Sequence, residues 1–210
     1  GKCRLGRCRP TGSIGAHGPL LFTCLVAGCP VSRRATVVGV GLIGGSIGMA
    51  LRERGWHVSG VEADEARATA AIKLGAVDTI GWDAEAEISF VATRVGQIPE
   101  MVAQALVAAP DGVVTDVGGV KVPVVDAVTD PRFVGGHPMA GSEQEGLEGA
   151  DSAMFVDANW VLTPSGYTDD GAFALIRSVV TSLGAEVVTL APDRHDALVA
   201  LVSHVPHLTA

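Results

Sequence analysis

Two kinds of residue in this chain could do chemistry: glycines spaced to admit a phosphate, and histidines set among glycine and proline. The glycines come first, in Gly39-Val40-Gly41-Leu42-Ile43-Gly44-Gly45-Ser46. Gly39 allows a sharp turn from strand to helix. Gly41 lets the backbone approach a pyrophosphate with no Cβ in the way, and Gly44 permits close packing of helix on strand. The N–H groups opening the following helix, around Leu42 and Ile43, would aim at the phosphates. A carboxylate, Glu62, lies roughly 20 residues past the turn, where it would accept the ribose hydroxyls and repel a 2′-phosphate. The pattern therefore favours NAD over NADP. Asp64 is a possible substitute for Glu62, and Ala63 supplies no cation for a phosphate.

The histidines fall in two later stretches. His137 lies in Phe133-Val134-Gly135-Gly136-His137-Pro138-Met139-Ala140-Gly141-Ser142-Glu143, and His204 and His207 lie in Val202-Ser203-His204-Val205-Pro206-His207-Leu208. Imidazole is the side chain best suited to take a proton from a hydroxyl near neutral pH. Oxidising an alcohol needs such a base while hydride leaves for a nicotinamide. Between a Gly-Gly turn and Pro138, His137 is expected on a loop that presents it to the cofactor cleft. No metal-ligand cluster and no Ser-His-Asp arrangement has support in the sequence.

The elements that must position these residues follow from periodicity. Residues 35–40 read as a short buried strand rich in β-branched side chains. The helix after the turn carries Ile43, Ile47 and Leu51 on one face and ends at Gly55, and residues 56–61 form a second strand running into Glu62. Residues 66–74 read as a helix ended by Gly75, 88–92 as a buried strand, 98–109 as a helix and 112–116 as a strand. Further on, strands over 159–163 and 186–190 flank a helix over 172–183 and extend the sheet. Such βαβ repeats make an α/β, Rossmann-type, doubly wound and mainly parallel sheet, whose ligands sit at the carboxyl ends of the strands. Thr93 follows one strand end, and Asp116 and Gly118 follow another, so all three are expected to face the cofactor.

Composition narrows the class. In 210 residues, 48% are apolar and 18% charged, enough to bury a substantial core. Aromatics are only 4%, which argues against stacking nucleic-acid bases. Lys2, Arg4, Arg7, Arg9, Arg33 and Arg34 account for six of the 15 basic residues, and their segment holds no acid, so the body carries 9 basic residues against 23 acidic. An acidic body has no general attraction for a polyanion, so any phosphate must be held locally, and no nucleic-acid partner is expected. All four cysteines, Cys3, Cys8, Cys24 and Cys29, lie in that first segment. A body without cysteine fits a reducing compartment, the cytoplasm. No apolar run is long enough to span a bilayer as a helix.

Residues 1–34 are rich in Gly, Pro, Arg and Cys, lack periodicity and begin without methionine. A zinc site is disfavoured by the wide spacing within each cysteine pair. A secretory or lipoprotein signal is suggested by Val26-Ala27-Gly28-Cys29, but a nicotinamide enzyme has little use outside the cytoplasm. The segment is read as a disordered or non-native leader. Residues 35–191 are read as the dinucleotide-binding domain and 192–210 as the start of a further, helical domain.

Together the motifs V-G-V-G-L-I-G-G-S, T-D-V-G-G-V-K (115–121), G-G-H-P-M-A-G-S-E (135–143) and S-H-V-P-H (203–207) resemble the prephenate/arogenate dehydrogenase family of tyrosine biosynthesis, over nearly all of residues 35–210. The resemblance implies NAD-dependent oxidative decarboxylation of prephenate or arogenate. It makes His137 the base or hydrogen-bond acceptor on the ring hydroxyl. His207, His204, Ser142 and Glu143 would line the substrate pocket. Three departures stand out. Gly119 stands where members commonly have a serine that orients the catalytic histidine, so His137 needs another partner to fix its tautomer. Arg94 stands where a proline is usual. The sequence stops just after S-H-V-P-H, whereas members continue into a helical domain that forms a homodimer and supplies an arginine for a substrate carboxylate. The helix suggested over 192–201, with Leu198 and Leu201 apolar, looks like the first piece of that domain.

Two other readings remain. A β-hydroxyacid dehydrogenase shares the glycine-rich start but would want a catalytic lysine on a later helix, and no lysine follows Lys121. A non-catalytic NAD-binding fragment or redox-sensing module is favoured by Gly119 and the missing arginine, and opposed by His137 in its full motif.

Overall fold

The computed structural model describes residues 32–142, 144 and 146–201. Residues 1–31 of the expected leader, and the pocket candidates Glu143, His204 and His207, lie outside the described residues. Arg34, which the sequence groups with the leader, opens the first strand.

Strands β1 (Arg34–Val38), β2 (His57–Val61), β3 (Thr79–Ile80), β4 (Ile88–Val91), β5 (Val113–Asp116), β6 (Phe133–Pro138), β7 (Asn159–Thr163) and β8 (Glu186–Thr189) form one sheet. Its spatial order is β3-β2-β1-β4-β5-β6-β7-β8. Neighbours run parallel except β6 and β7, which are antiparallel. Helices α1 (Leu42–Glu53), α2 (Glu65–Lys73), α3 (Ile98–Ala108), α4 (Val122–Ala127), α5 (Asp170–Ser182) and α6 (Pro192–Val199) connect or follow the strands. The expected doubly wound, mainly parallel sheet is the fold observed.

Strand side chains alternate between the two faces, and each face has its own core. Val37 joins Ile47 and Leu51 of α1 and Ile176, Val179 and Val180 of α5. Its neighbour Val38 joins Ile98, Val102 and Leu106 of α3 and Val124 and Val125 of α4 on the opposite face. Burying each such side chain contributes about 1.5–3 kcal/mol. Helix ends follow local chemistry. Gly55 and Gly75 adopt φ of +80° and +74° at the ends of α1 and α2. The Asp64 carboxylate caps α2 by accepting the Arg67 N–H at 3.0 Å, and Asp169 caps α5 by accepting that of Ala172 at 2.9 Å. Each cap contributes on the order of 1 kcal/mol.

The chain passes from β1 to β2 on one side and reaches β4 on the other, so the loops after β1 and β4 part at their carboxyl ends and open a crevice. A Cβ at Gly39 would lie 2.8 Å from the Ala92 carbonyl oxygen, and Gly39 has φ +86°. Only glycine lets the two loops lie this close.

One expectation is corrected. Gly135 and Gly136 make no turn, and His137 sits in strand β6, opposite Val161 of β7. The glycines are there for clearance. A Cβ at Gly136 would come within 2.6 Å of the Asp116 carbonyl oxygen, and one at Gly135 would overlap the Thr163 hydroxyl. Sequence patterning favours turns at Gly-Gly, and the packing of β6 between β5 and β7 overrides it.

Candidate active site

The crevice is a cleft of about 410 Å³ lined by Gly39, Gly41, Glu62, Ala63, Arg67, Thr93, Arg94, Gln97 and Met101, among others. A Cβ built on Gly41 meets nothing within 4 Å, so the space above this backbone is open. A Cβ on Gly44 would overlap the Gly39 carbonyl oxygen, which is the close helix-on-strand approach the spacing implies. Leu42 and Ile43 form the first turn of α1, whose cap at Gly41 carries no side chain to occupy the N–H groups. The Thr93 hydroxyl is buried and has no hydrogen-bond partner. An open backbone cradle at a helix N-terminus, beside an unpartnered hydroxyl, fits a dinucleotide.

Glu62 ends β2 and is held from three sides. Its Oε2 accepts the Val40 N–H at 3.1 Å, and its Oε1 accepts the Asp64 N–H at 3.1 Å and an Arg67 N–H at 3.2 Å. The carboxylate thus ties the glycine turn to the start of α2. Asp64, the possible substitute, is committed to capping α2. Arg67 is a cation that the sequence reading passed over. The signal was available: the Asp64 cap puts Arg67 on the first turn of α2, facing back to Glu62.

At the carboxyl end of β5 lies a buried ion pair. Lys121 Nζ donates to Asp116 Oδ2, with both side chains fully excluded from solvent, and to the Gly136 carbonyl oxygen at 2.7 Å. Asp116 also accepts the Gly118 N–H at 2.8 Å and the Gly136 N–H at 3.0 Å. Burial pushes the Asp116 carboxyl up and the Lys121 ammonium down, while their mutual attraction opposes both. Asp116 was expected to face the cofactor. Its side chain instead points into the protein, where it braces the loop carrying Gly118 against β6. Satisfying two backbone donors and one buried cation is what keeps it there.

His137 is half-buried at the carboxyl end of β6, on the same sheet edge as the glycine turn. Its Nδ1 lies 2.9 Å from Nε2 of His195, and Nδ1 of His195 lies 2.7 Å from Oδ1 of Asp196. Asp196 accepts the N–H groups of Lys121 at 2.7 Å and Val122 at 2.9 Å, anchoring α6 to the start of α4. Burial acts upward on the Asp196 carboxyl, but the hydrogen bonds from Val122, His195 and Lys121 hold it below its ordinary range. For His137, burial comes first, with His195 and Lys121 adding to it, and the imidazole falls from 6.5 to about 4. It is therefore neutral at physiological pH. The other face of the ring meets the Gly119 backbone: a Cβ there would lie 3.6 Å from His137 Nε2.

Of the expected pocket residues, only Ser142 is described. It is exposed, and its Oγ accepts the Gln144 N–H at 3.1 Å. His195 and Asp196, which touch the histidine site, were not singled out from sequence. A His-Asp pair near a helix start has no short-range signature, because its partners come from other elements. Among the described residues, no group of three or more His, Cys, Asp or Glu is placed to hold a metal ion, and no helix is long and apolar enough to cross a membrane.

Comparison with known proteins identifies relatives of the chain and of its fold. The family model for the nucleotide-binding domain of prephenate dehydrogenase matches residues 47–189. A prephenate dehydrogenase of Bacillus subtilis is 35% identical over 191 residues, covering 83% of this chain and 51% of that protein. Among solved structures, Synechocystis arogenate dehydrogenase is 36% identical with a TM-score of 0.76, covering 83% of this chain and 66% of that one. A prephenate dehydrogenase from A. aeolicus, solved in complex with hydroxyphenyl propionate and NAD+, is 28% identical with a TM-score of 0.78, covering 84% of this chain and 66% of that one. The chain thus spans about half the length of the Bacillus protein. With that family model matching more than half its length, the chain belongs to the prephenate dehydrogenase family and carries that family's nucleotide-binding domain.

Proposed function

We propose that this chain is the NAD-binding, histidine-bearing part of a dehydrogenase that oxidatively decarboxylates prephenate or arogenate. The observation that carries the reading is a neutral imidazole, His137, held on the same sheet edge as an open dinucleotide cradle. NAD, when bound, supplies the hydride acceptor. The backbone at Gly41, Leu42 and Ile43 holds the pyrophosphate, Glu62 accepts the ribose hydroxyls, and Gly118 and the Thr93 hydroxyl border the nucleotide.

His137 Nε2 accepts the proton of the substrate's ring hydroxyl as hydride leaves the carbon that bears it. Loss of the carboxylate as carbon dioxide then makes the ring aromatic, and the shared proton returns to the phenolic oxygen. A group with a pKa of about 4 does not store a proton at neutral pH. It suits a hydrogen bond that strengthens in the transition state, while aromatisation provides the driving force. His204, His207, Ser142 and Glu143 line the substrate side of the pocket in this reading.

In this reading the active form is a homodimer in the cytoplasm, within which the apolar face of α6 is covered. Supporting this, Leu198 and Leu201 are 49% and 64% exposed, beside an apolar recess lined by Met139, Val161, Leu190 and Val199. Such a surface calls for a cover.

Incubating the protein with NAD and either prephenate or arogenate, while following the absorbance of reduced cofactor, tests the reading. Reduction with release of carbon dioxide is expected. Tight NAD binding with no turnover of either substrate would favour the non-catalytic module instead.

A further inference from the structure

His137 reaches His195 through Nδ1 and leaves Nε2 toward Gly119. A neutral imidazole has one N–H and one lone pair, so whichever nitrogen carries the hydrogen decides whether Nε2 can act as a base. Its partners therefore set its function, and they can be followed to their end.

The chain of partners ends in a group of known polarity. Asp196 accepts two backbone N–H groups, at Lys121 and Val122, and is held ionised by them. A carboxylate in that state can only accept. His195, 1% exposed and 2.7 Å away, must present its hydrogen on Nδ1. In the neutral ring its Nε2 carries a lone pair and accepts from His137 Nδ1, 2.9 Å away.

We propose that His195 and Asp196 are positioning residues for His137: the Asp196 carboxylate and the His195 imidazole force the hydrogen of His137 onto Nδ1 and leave the Nε2 lone pair facing the substrate. The relay acts on Nδ1, the ring nitrogen opposite the one that faces Gly119. It does more than orient. As Nε2 takes up positive character during proton sharing, the Nδ1–H bond to His195 shortens and the Asp196 charge lies behind it. Other ionisable groups around the pair are Lys121, preceding α4, whose charge opposes protonation of His137, and Asp116 of β5, which is paired with Lys121. From β7 and from the rest of α6, the side chains lining the adjoining recess, Val161, Leu198 and Val199, carry no charge. Asp193 and Arg194 share α6 with His195, and Asp196 is the acid that both acts on the His137 ring and hydrogen-bonds His195.

The inference rests on the proposed reaction for its purpose, but not for its test. Long-range proton–nitrogen correlation of the imidazoles in ¹⁵N-labelled protein at neutral pH reads each tautomer without turnover. His137→Asn assigns the His137 signals. The expected result is Nδ1–H at both His137 and His195. In Asp196→Ala nothing accepts from His195 Nδ1, so both rings lose their constraint and a hydrogen should appear on His137 Nε2 in part of the population. His195→Phe, which keeps bulk without a hydrogen bond, should give His137 a mixture of tautomers. In turnover, both variants should lower kcat about 100-fold, with KM for NAD within about twofold. Nε2–H at His137 in the unaltered protein would overturn the relay, as would an unchanged His137 tautomer in Asp196→Ala, or full kcat in both variants. The expected tautomers in a protein that turns over neither substrate would uphold the relay and sink the proposed reaction alone.

Discussion

Gly119 and His137 are matched in position: a Cβ on the first would lie 3.6 Å from Nε2 of the second, with no other atom within 4 Å except the neighbouring Cε1 of the same ring. The glycine is not at a positive φ, so a side chain is sterically allowed here. Gly119→Ser should fold normally and bring a hydroxyl within reach of Nε2 and of a substrate hydroxyl. Its kcat is expected to rise about 3- to 10-fold, a fraction of what full acid–base assistance supplies. Gly119→Ala, with the Cβ but no hydroxyl, should show no such gain. Steady-state kinetics on the pair checks this, and equal rates in both variants would place the ring elsewhere.

His137 also ties stability to pH. In the fold its pKa is lowered from 6.5 to about 4, mainly by burial. Between those values the unfolded chain binds a proton that the native state refuses. The contribution is fully present above about pH 6.5 and is lost as pH falls toward 4. Its size is about 1–3 kcal/mol after allowing for partial exposure. Urea unfolding at pH 7 and pH 4.5 should show a smaller difference in His137→Asn than in the unaltered chain. The same substitution should reduce kcat about 10²- to 10⁴-fold while leaving NAD affinity in place.

The glycines of the turn should separate binding from folding. Gly41→Val adds bulk where nothing in the protein stands, so its melting temperature should stay near that of the unaltered chain. Its affinity for NAD, read by calorimetry, should fall at least about tenfold because the backbone can no longer approach the pyrophosphate. Gly44→Ala should do the reverse. Its methyl group would overlap the Gly39 carbonyl oxygen, costing about 1–3 kcal/mol of stability.

Glu62 and Arg67 should set the choice between NAD and NADP. With Arg67 held by the Glu62 carboxylate at 3.2 Å, a 2′-phosphate would meet a negative charge before a positive one. Glu62→Ser removes the acid and frees the guanidinium. The ratio of NAD to NADP affinity should then shift toward NADP by about tenfold or more. Adding Arg67→Ala to that variant should reverse most of the gain. An unaltered ratio in Glu62→Ser would mean that the ribose lies away from this carboxylate.

The sequence alone determined the doubly wound sheet and the glycine turn. These rest on local rules: strand and helix periods, the residues that stop helices, and clearances within one βα unit. Tertiary structure decided the rest. Gly135 and Gly136 are strand residues because β5 and β7 crowd them from both sides, which no window around them reveals. Asp116 faces inward because Lys121 and two backbone donors meet it there. His195 lies 58 residues from His137, and Asp196 lies 75 from Lys121, yet each is hydrogen-bonded to its partner. Contacts across such separations depend on where the sheet stacks β6, β7 and α6. The polarity of the imidazole is set by that stacking, through groups with no pattern linking them along the chain.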